Sequence, residues 1–121
     1  MYIKCVRERV TKIVDEININ DLHLLLSAEK IVWTEHLALR LRERGIKRAD
    51  VVACILNGEI IEQYPDAYPH PACLVLAVLE DDNKPIHAVA GIGDGNLFIV
   101  TVYYPTIDKW ESDYKTRKAG K

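Results

Sequence analysis

The hydrophobic period of the chain changes at Gly58, and this change limits the folds that the chain can adopt. Before Gly58, apolar residues recur every three or four positions, which is the period of a helix with one buried face. After Gly58, short apolar runs alternate with turn-forming residues, as in a series of strands. We therefore expect an α+β fold in which N-terminal helices pack on a four-stranded antiparallel β-meander.

The first half of the chain contains three predicted helices. They span residues 22–28, 35–44 and 48–57, and a short extended stretch at 30–33 precedes the second. Asn20 or Asp21 is the expected N-cap of the first helix and Thr34 that of the second, while Gly45 suits the end of the second. Residues 2–14 fit a helix by their apolar spacing and a strand by their β-branched content.

The second half contains four predicted strands, over residues 59–64, 73–79, 85–92 and 97–104. A proline-containing loop joins the first two strands, and turns at 81–84 and 93–96 join the others. Pro105 ends the sheet. We divide the chain into an N-terminal extension (1–20), one α+β domain (21–113) and a basic C-terminal tail (114–121).

Composition narrows the classes of protein to which the chain can belong. The net charge is −2, the cysteines number three, and no apolar stretch approaches the length of a membrane span. The first residues are too charged for a signal peptide, so we expect a cytoplasmic protein with reduced cysteines and no membrane partner. No set of residues has the spacing of metal ligands, so we expect no metal and no cofactor.

The second predicted helix is the most informative element for function. His36, Arg40 and Arg44 lie four residues apart and therefore share one helix face. Residues 37–48 carry five basic side chains and one acidic side chain, Glu43, although the whole chain is acidic. Guanidinium groups suit phosphate, but such a face also suits acidic groups of a partner protein or simple contact with water.

Three further candidates lie on the predicted strands. Thr101 and Tyr103 alternate onto one face of the last strand, where their hydroxyls could donate to a phosphate. Both residue types are also common in strands for packing reasons. His87 lies in an apolar strand, so it is either a core histidine with satisfied hydrogen bonds or a residue lining a cleft.

Several motifs together resemble the family known as domain of unknown function 4258. The run from His36 to Ile46 resembles the family's H-A-x-x-R-x-x-x-R-G-I opening. The similarity continues through residues 56–62, 64–65, 85–89 and 100–105, and ends at Trp110. This resemblance implies similarity to the compact RNase-toxin folds of barnase, colicin nuclease domains and RelE. It thereby implies helices on a four-stranded antiparallel sheet and a metal-independent RNA cleavage site on the exposed sheet face.

If the resemblance extends to activity, the RNA 2′-hydroxyl is the nucleophile and His36 the expected base. Arg40 and Arg44 would hold the phosphate, Thr101 would orient it, and His87 or Tyr103 would give a proton to the leaving oxygen. The expected partners are then RNA and a partner protein such as an antitoxin. One alternative is a non-catalytic module that recognises a protein or an anion through the basic helix face. Another makes His36 and Arg40 structural, with the arginine buried against Glu59 or Glu62.

Overall fold

The computed structural model describes residues 16–80 and 83–118, so the predicted segment 2–14 lies outside the described residues. Within this part of the chain there are three helices and five strands. The helices are α1 (Ile19–Ser27), α2 (Glu35–Arg44) and α3 (Arg48–Asn57). The strands are β1 (Ile31–Val32), β2 (Glu59–Tyr64), β3 (Ala72–Leu79), β4 (Lys84–Gly93) and β5 (Asn96–Tyr103). No helix in the described ranges has the length and apolarity needed to cross a bilayer.

The predicted α+β class is confirmed, but the sheet has five strands and not four. Its strand order is β1-β5-β4-β3-β2, and β1 pairs with β5 in parallel while the other pairs are antiparallel. The additional strand is the predicted extended stretch, in which Ile31 pairs with Leu97 and Val32 with Phe98. The prediction missed this strand because two residues are too few to display a period. Its contribution is to give the first part of β5 a backbone partner.

Local signals set the ends of the helices. The Thr34 hydroxyl accepts a hydrogen bond from the amide of Leu37 at 3.0 Å, and Gly45 ends α2 with φ of 68°. The predicted cap of α1 is wrong. Asn18 is the cap, and its side chain accepts from the amide of Asn20 at 2.8 Å. The first helix thus begins earlier than its leucine spacing indicates.

All three helices pack on one face of the sheet, and the core lies between these layers. The fully buried side chains of this layer include Leu22, Leu37, Val51 and Ile55 from the helices and Val75, Ile86, Ala88 and Val102 from the strands. Gly58 lets α3 turn closely into β2, because a Cβ atom there would lie 2.5 Å from the carbonyl oxygen of Cys54 and 2.6 Å from that of Leu76. Leu37 and Leu41 of α2 belong to the same core cluster as the buried residues of β5, so packing holds α2 alongside β5.

The opposite sheet face is not covered by helices, and we call it the open face. It carries His87, Thr101 and Tyr103 beside buried apolar side chains such as Leu74 and Leu76. Strand register places Leu76, His87 and Tyr103 in one row across β3, β4 and β5, and Leu74, Val89 and Thr101 in the next. Residues 105–118, which we call the C-terminal loop, pack on the row containing His87. Their own backbone bonds join Glu111 to Thr116 (2.8 Å) and Lys118 to Lys109 (3.0 Å). This loop includes residues 114–118 of the predicted basic tail.

Candidate functional site

The three candidates on α2 have different surroundings. His36 and Arg40 are exposed, and Nη1 of Arg40 donates to Oε1 of Glu43 at 3.3 Å. Arg44 instead reaches the edge of β5. Its Nη1 donates to the carbonyl oxygen of Val102 at 2.8 Å and to Oγ1 of Thr101 at 3.2 Å. Arg44 and Thr101, separated by 57 positions in sequence, are therefore in contact.

The structural alternative, an arginine of α2 buried against Glu59 or Glu62, is wrong. Arg40 is exposed and pairs with Glu43. Lys115 approaches Glu59 at 3.1 Å, and Arg117 approaches Glu62 at 2.8 Å. Both acidic side chains thus have partners on the C-terminal loop, which the basic pattern of α2 could not indicate.

Helix geometry separates His36 from Arg44. With a rise of 1.5 Å per residue, eight positions correspond to about 12 Å along the axis of α2. The Arg44 guanidinium is also held at β5 by Thr101 and Val102, so the side chains are spread along the helix. The face is therefore a strip that can follow an extended ligand, with Arg44 at the end next to Thr101.

His87 and Tyr103 form the second contact between predicted site residues. They are register partners on β4 and β5, and the Tyr103 hydroxyl lies 3.3 Å from Nδ1 of His87. On the other side of the ring, Nε2 lies 2.7 Å from the carbonyl oxygen of Tyr114 in the C-terminal loop. The His87 side chain is fully buried, and the Trp110 indole packs edge-on against it with ring centroids 4.6 Å apart.

These contacts define the protonation of the His87 ring. A carbonyl oxygen only accepts, so the proton of the neutral ring is on Nε2, and Nδ1 presents a lone pair that accepts from the Tyr103 hydroxyl. Burial lowers the pKa of His87, which outweighs the opposing effects of the Tyr114 carbonyl and the Glu62 charge. Burial also raises the pKa of Tyr103. At neutral pH the pair is thus a tyrosine that has its proton beside a histidine able to accept one.

The structure adds three residues that were not site candidates from the sequence: Glu62, Tyr64 and Arg117. Arg117 donates to Glu62 through Nε at 2.8 Å and Nη2 at 3.0 Å, while the Tyr64 hydroxyl donates to the same carboxylate. The Arg117 hydrogen bonds hold the pKa of Glu62 below its ordinary value, and burial raises the pKa of Tyr64 to about 12. Perturbed pKa values gathered in one place are typical of functional sites.

Two cavities open near these groups. One, of about 380 Å³, is lined by Tyr103, Lys109, Trp110 and Arg117 together with residues 104–106, and we call it the polar cavity. The other, of about 330 Å³, is mainly apolar, and His70 stacks on Phe98 in its wall with ring centroids 5.2 Å apart. Neither lining includes a member of the basic α2 face. The polar cavity is therefore associated with the His87 contact, whereas His36 and Arg40 lie on an open surface.

The two described cysteines and the potential metal ligands give no second site in the described part of the chain. Burial raises the pKa of both Cys54 and Cys73 to about 12, so these thiols stay protonated and are poor nucleophiles. Between residues 16–80 and 83–118, no three histidine, cysteine or acidic side chains are grouped so as to hold a metal ion.

Comparison with known families supports the resemblance that the motifs indicate. The family model described as "Domain of unknown function (DUF4258)" matches residues 33–104. The chain belongs to this family. No curated protein and no solved structure matches the chain. The DUF4258 match contains Arg44, His87, Thr101 and Tyr103, and it ends one residue before the C-terminal loop.

Proposed function

We propose that this DUF4258 domain binds RNA along the basic face of α2 and the neighbouring part of β5. We propose further that it cleaves the RNA phosphodiester without a metal ion. The observation that carries the proposal is the contact between the Tyr103 hydroxyl and Nδ1 of the buried His87. Tyr103 lies two residues from Thr101, which Arg44 contacts at 3.2 Å. Tyr103, which contacts the proton acceptor His87, and Thr101, which contacts Arg44, thus occupy neighbouring positions on one face of β5.

The proposed reaction uses the 2′-hydroxyl of RNA as nucleophile. Its proton passes to the Tyr103 oxygen while the Tyr103 proton passes to Nδ1 of His87. The O2′–P bond forms and the P–O5′ bond breaks, and O5′ takes a proton from water or from a nearby ammonium group. The products are a 2′,3′-cyclic phosphate and a 5′-hydroxyl. Protonated His87 then returns its proton to solvent.

The contacts of His87 support its role as a proton acceptor, although the sequence led us to expect His87 or Tyr103 as a proton donor. The Nε2–H bond to the Tyr114 carbonyl leaves a lone pair at Nδ1, and the lowered pKa keeps that lone pair available near neutral pH. After proton transfer, the Tyr114 carbonyl and the Glu62 carboxylate would both stabilise the imidazolium. His87 has no exposed surface, so Tyr103 is the member of the pair that would contact RNA.

The α2 face has a binding role in this proposal. Arg44 would contact the strand next to Thr101, and Arg40 and His36 would contact it about 6 and 12 Å further along the helix axis. Side chains at such separations suit successive groups of an extended polyanion. His36, our first candidate for the base from the sequence, would then hold the strand and not take the 2′-hydroxyl proton.

The test compares cleavage of mixed-sequence RNA by the full chain and by the variants Tyr103→Phe, His36→Ala and Arg42→Ala. Tyr103→Phe removes the hydroxyl that relays the proton, so we expect a 100-fold or greater loss of rate, since acid–base groups typically contribute about 10²–10⁴. His36→Ala should mainly weaken binding, and Arg42→Ala is the matched control on α2. Equal rates for the unmodified chain and Tyr103→Phe would refute the proposed mechanism.

A binding module without catalysis is the second candidate, because His36 and Arg40 are exposed and line neither of the two cavities near the His87 contact. In this case the strip would recognise an acidic surface of a partner protein such as an antitoxin. This candidate predicts that Arg40→Ala weakens binding of the acidic partner protein. It also predicts that RNA incubated with the protein stays intact. Appearance of 2′,3′-cyclic phosphate ends, absent with Tyr103→Phe, would contradict this candidate.

A further inference from the structure

We propose that Lys109 and Arg117 of the C-terminal loop bind the phosphodiester that is cleaved, in the polar cavity beside Tyr103. This inference rests on the proposed function and adds a phosphate site to it. The two residues lie outside the region matched by the DUF4258 model, and neither belongs to the basic α2 face. Glu62 is a positioning residue in this site, since it acts through Arg117.

The composition of the cavity suits an anion. Of the side chains that line it, Lys109 and Arg117 are cationic and none is acidic. Tyr103 adds a hydroxyl from the sheet, so two cations from the loop and the proposed proton relay from β5 border the same space. A volume of about 380 Å³ is sufficient for a phosphate group with part of its attached sugar. Arginine and lysine are the side chains that proteins use most for phosphate.

The surroundings of Arg117 fix its guanidinium plane. Its Nε and Nη2 donate to Glu62, so the Nη1 edge takes no part in these two bonds. The Trp110 ring lies against the guanidinium, with Cζ 4.6 Å from the ring centroid. The same indole packs on the His87 ring, with the two ring planes at 88°. One tryptophan therefore orders both the phosphate-binding cation and the proton acceptor, and such preorganisation favours a reaction centre.

Attachment of the loop to the sheet explains the position of Arg117 but does not involve the Lys109 side chain. The pairs Lys115–Glu59 and Arg117–Glu62 attach the loop to β2. The Lys109 side chain, by contrast, has no hydrogen bond or ion pair to any residue within 16–80 or 83–118. Lys109 is exposed and borders the cavity next to a fixed guanidinium, so its charge is available to an anion bound there.

The experiment compares Lys109→Ala with Lys115→Ala, a matched loss of one positive charge on the same loop but outside the cavity. Binding is measured with an RNA oligonucleotide in which every 2′-hydroxyl is replaced by fluorine, so that no phosphodiester can be cleaved. The cleavage rate is measured with the unmodified oligonucleotide of the same sequence. We expect Lys109→Ala to weaken binding about tenfold and to reduce the slope of log K against log salt by about 0.7, as for one lost phosphate contact. Lys115→Ala should cause neither change.

A second pair of variants distinguishes a loss of phosphate binding from a loss of loop attachment. Arg117→Ala and Glu62→Gln both weaken the attachment, so thermal unfolding is measured beside cleavage, whereas Lys109→Ala should leave unfolding unchanged. Equal binding, salt slope and rate for Lys109→Ala and Lys115→Ala, in a chain that does cleave RNA, would overturn this inference and leave the proposed function standing. Loss of binding on Lys109→Ala in a chain that never cleaves RNA would support the phosphate site and overturn the proposed function.

Discussion

The Glu62–Arg117 contact attaches the C-terminal loop to the sheet, and a double-mutant cycle measures how strongly. We take Glu62→Gln, Arg117→Met and the double variant, and determine the free energy of unfolding of each by urea denaturation. The two bonds, at 2.8 and 3.0 Å, are charge-assisted and bidentate. The Glu62 side chain is 22% exposed and that of Arg117 58% exposed, so water screens the pair from one side.

The expected coupling energy follows from these two exposures. Charge-assisted hydrogen bonds contribute about 1.5–3 kcal/mol when shielded, and fully exposed ion pairs about 0.2–1 kcal/mol. Because solvent screens the partly exposed Arg117, its interaction with Glu62 is weaker than a shielded one, and we expect a coupling energy of about 1 kcal/mol. In a domain of this size that corresponds to a change in melting temperature of about 3–5 °C.

The Lys115–Glu59 pair provides the control for this cycle. Its side chains are 45% and 58% exposed and share a single contact of 3.1 Å, so its coupling should be below about 0.5 kcal/mol. If both cycles gave the same small value, the bidentate geometry would contribute no specific stabilisation and the argument for a fixed Arg117 would fail.

The pH dependence of the Glu62–Arg117 coupling has a definite sign. The hydrogen bonds from Arg117 lower the pKa of Glu62, partial burial opposes them, and the Tyr64 hydroxyl adds to the lowering. A carboxyl group with a lowered folded pKa stabilises the protein above its unfolded pKa of 4.5 and loses that contribution as pH falls through the folded value. The coupling should therefore be constant near pH 7 and decline only in acid below pH 4.5. A decline between pH 8 and pH 6 would contradict this assignment.

Three further predictions concern the fold around the site. Arg44→Ala should destabilise the domain by about 1 kcal/mol in denaturant titrations, since it removes two bonds to the β5 edge, while Arg42→Ala should change stability by less than about 0.5 kcal/mol. Leu37→Ala should cost about 2–5 kcal/mol because that side chain is fully buried, whereas the half-exposed Leu39→Ala should be nearly neutral by the same measurement. Cys54, whose pKa is raised to about 12, should react with a thiol reagent only when the protein unfolds, as followed by mass spectrometry of the labelled peptide.

The sequence predicted those parts of the fold that local signals determine. Both ends of α2 were predictable because Thr34 and Gly45 act on the backbone within a few residues. The two-residue strand β1 was not, because its pairing with β5 depends on residues more than 60 positions away. Likewise the shared face of His36 and Arg44 follows from helix period, but the contact of Arg44 with β5 depends on how α2 packs.

The candidate site shows the same division between local and long-range information. His87 and Tyr103 could each be selected from strand patterns, and their pairing follows once the β4–β5 register is known. Glu62 and Arg117 are 55 positions apart, and no pattern near either residue indicates the other. Nothing local to residues 109–118 predicts packing on the open face, since their composition is polar and basic. The residues of the proposed phosphate site therefore could not be brought together from the sequence without the fold.

The protonation of His87 depends on residues beyond the matched DUF4258 region. His87 and Tyr103 lie within that region, yet Trp110 and the Tyr114 carbonyl, which bury the ring and bind its Nε2, follow it in sequence. Burial is the largest cause of the lowered pKa, so a domain ending at residue 104 would expose His87 and return its pKa toward 6.5. The ring would then be partly protonated near neutral pH and a weaker proton acceptor. The segment that follows the family domain therefore influences the charge state of a residue that the domain itself supplies.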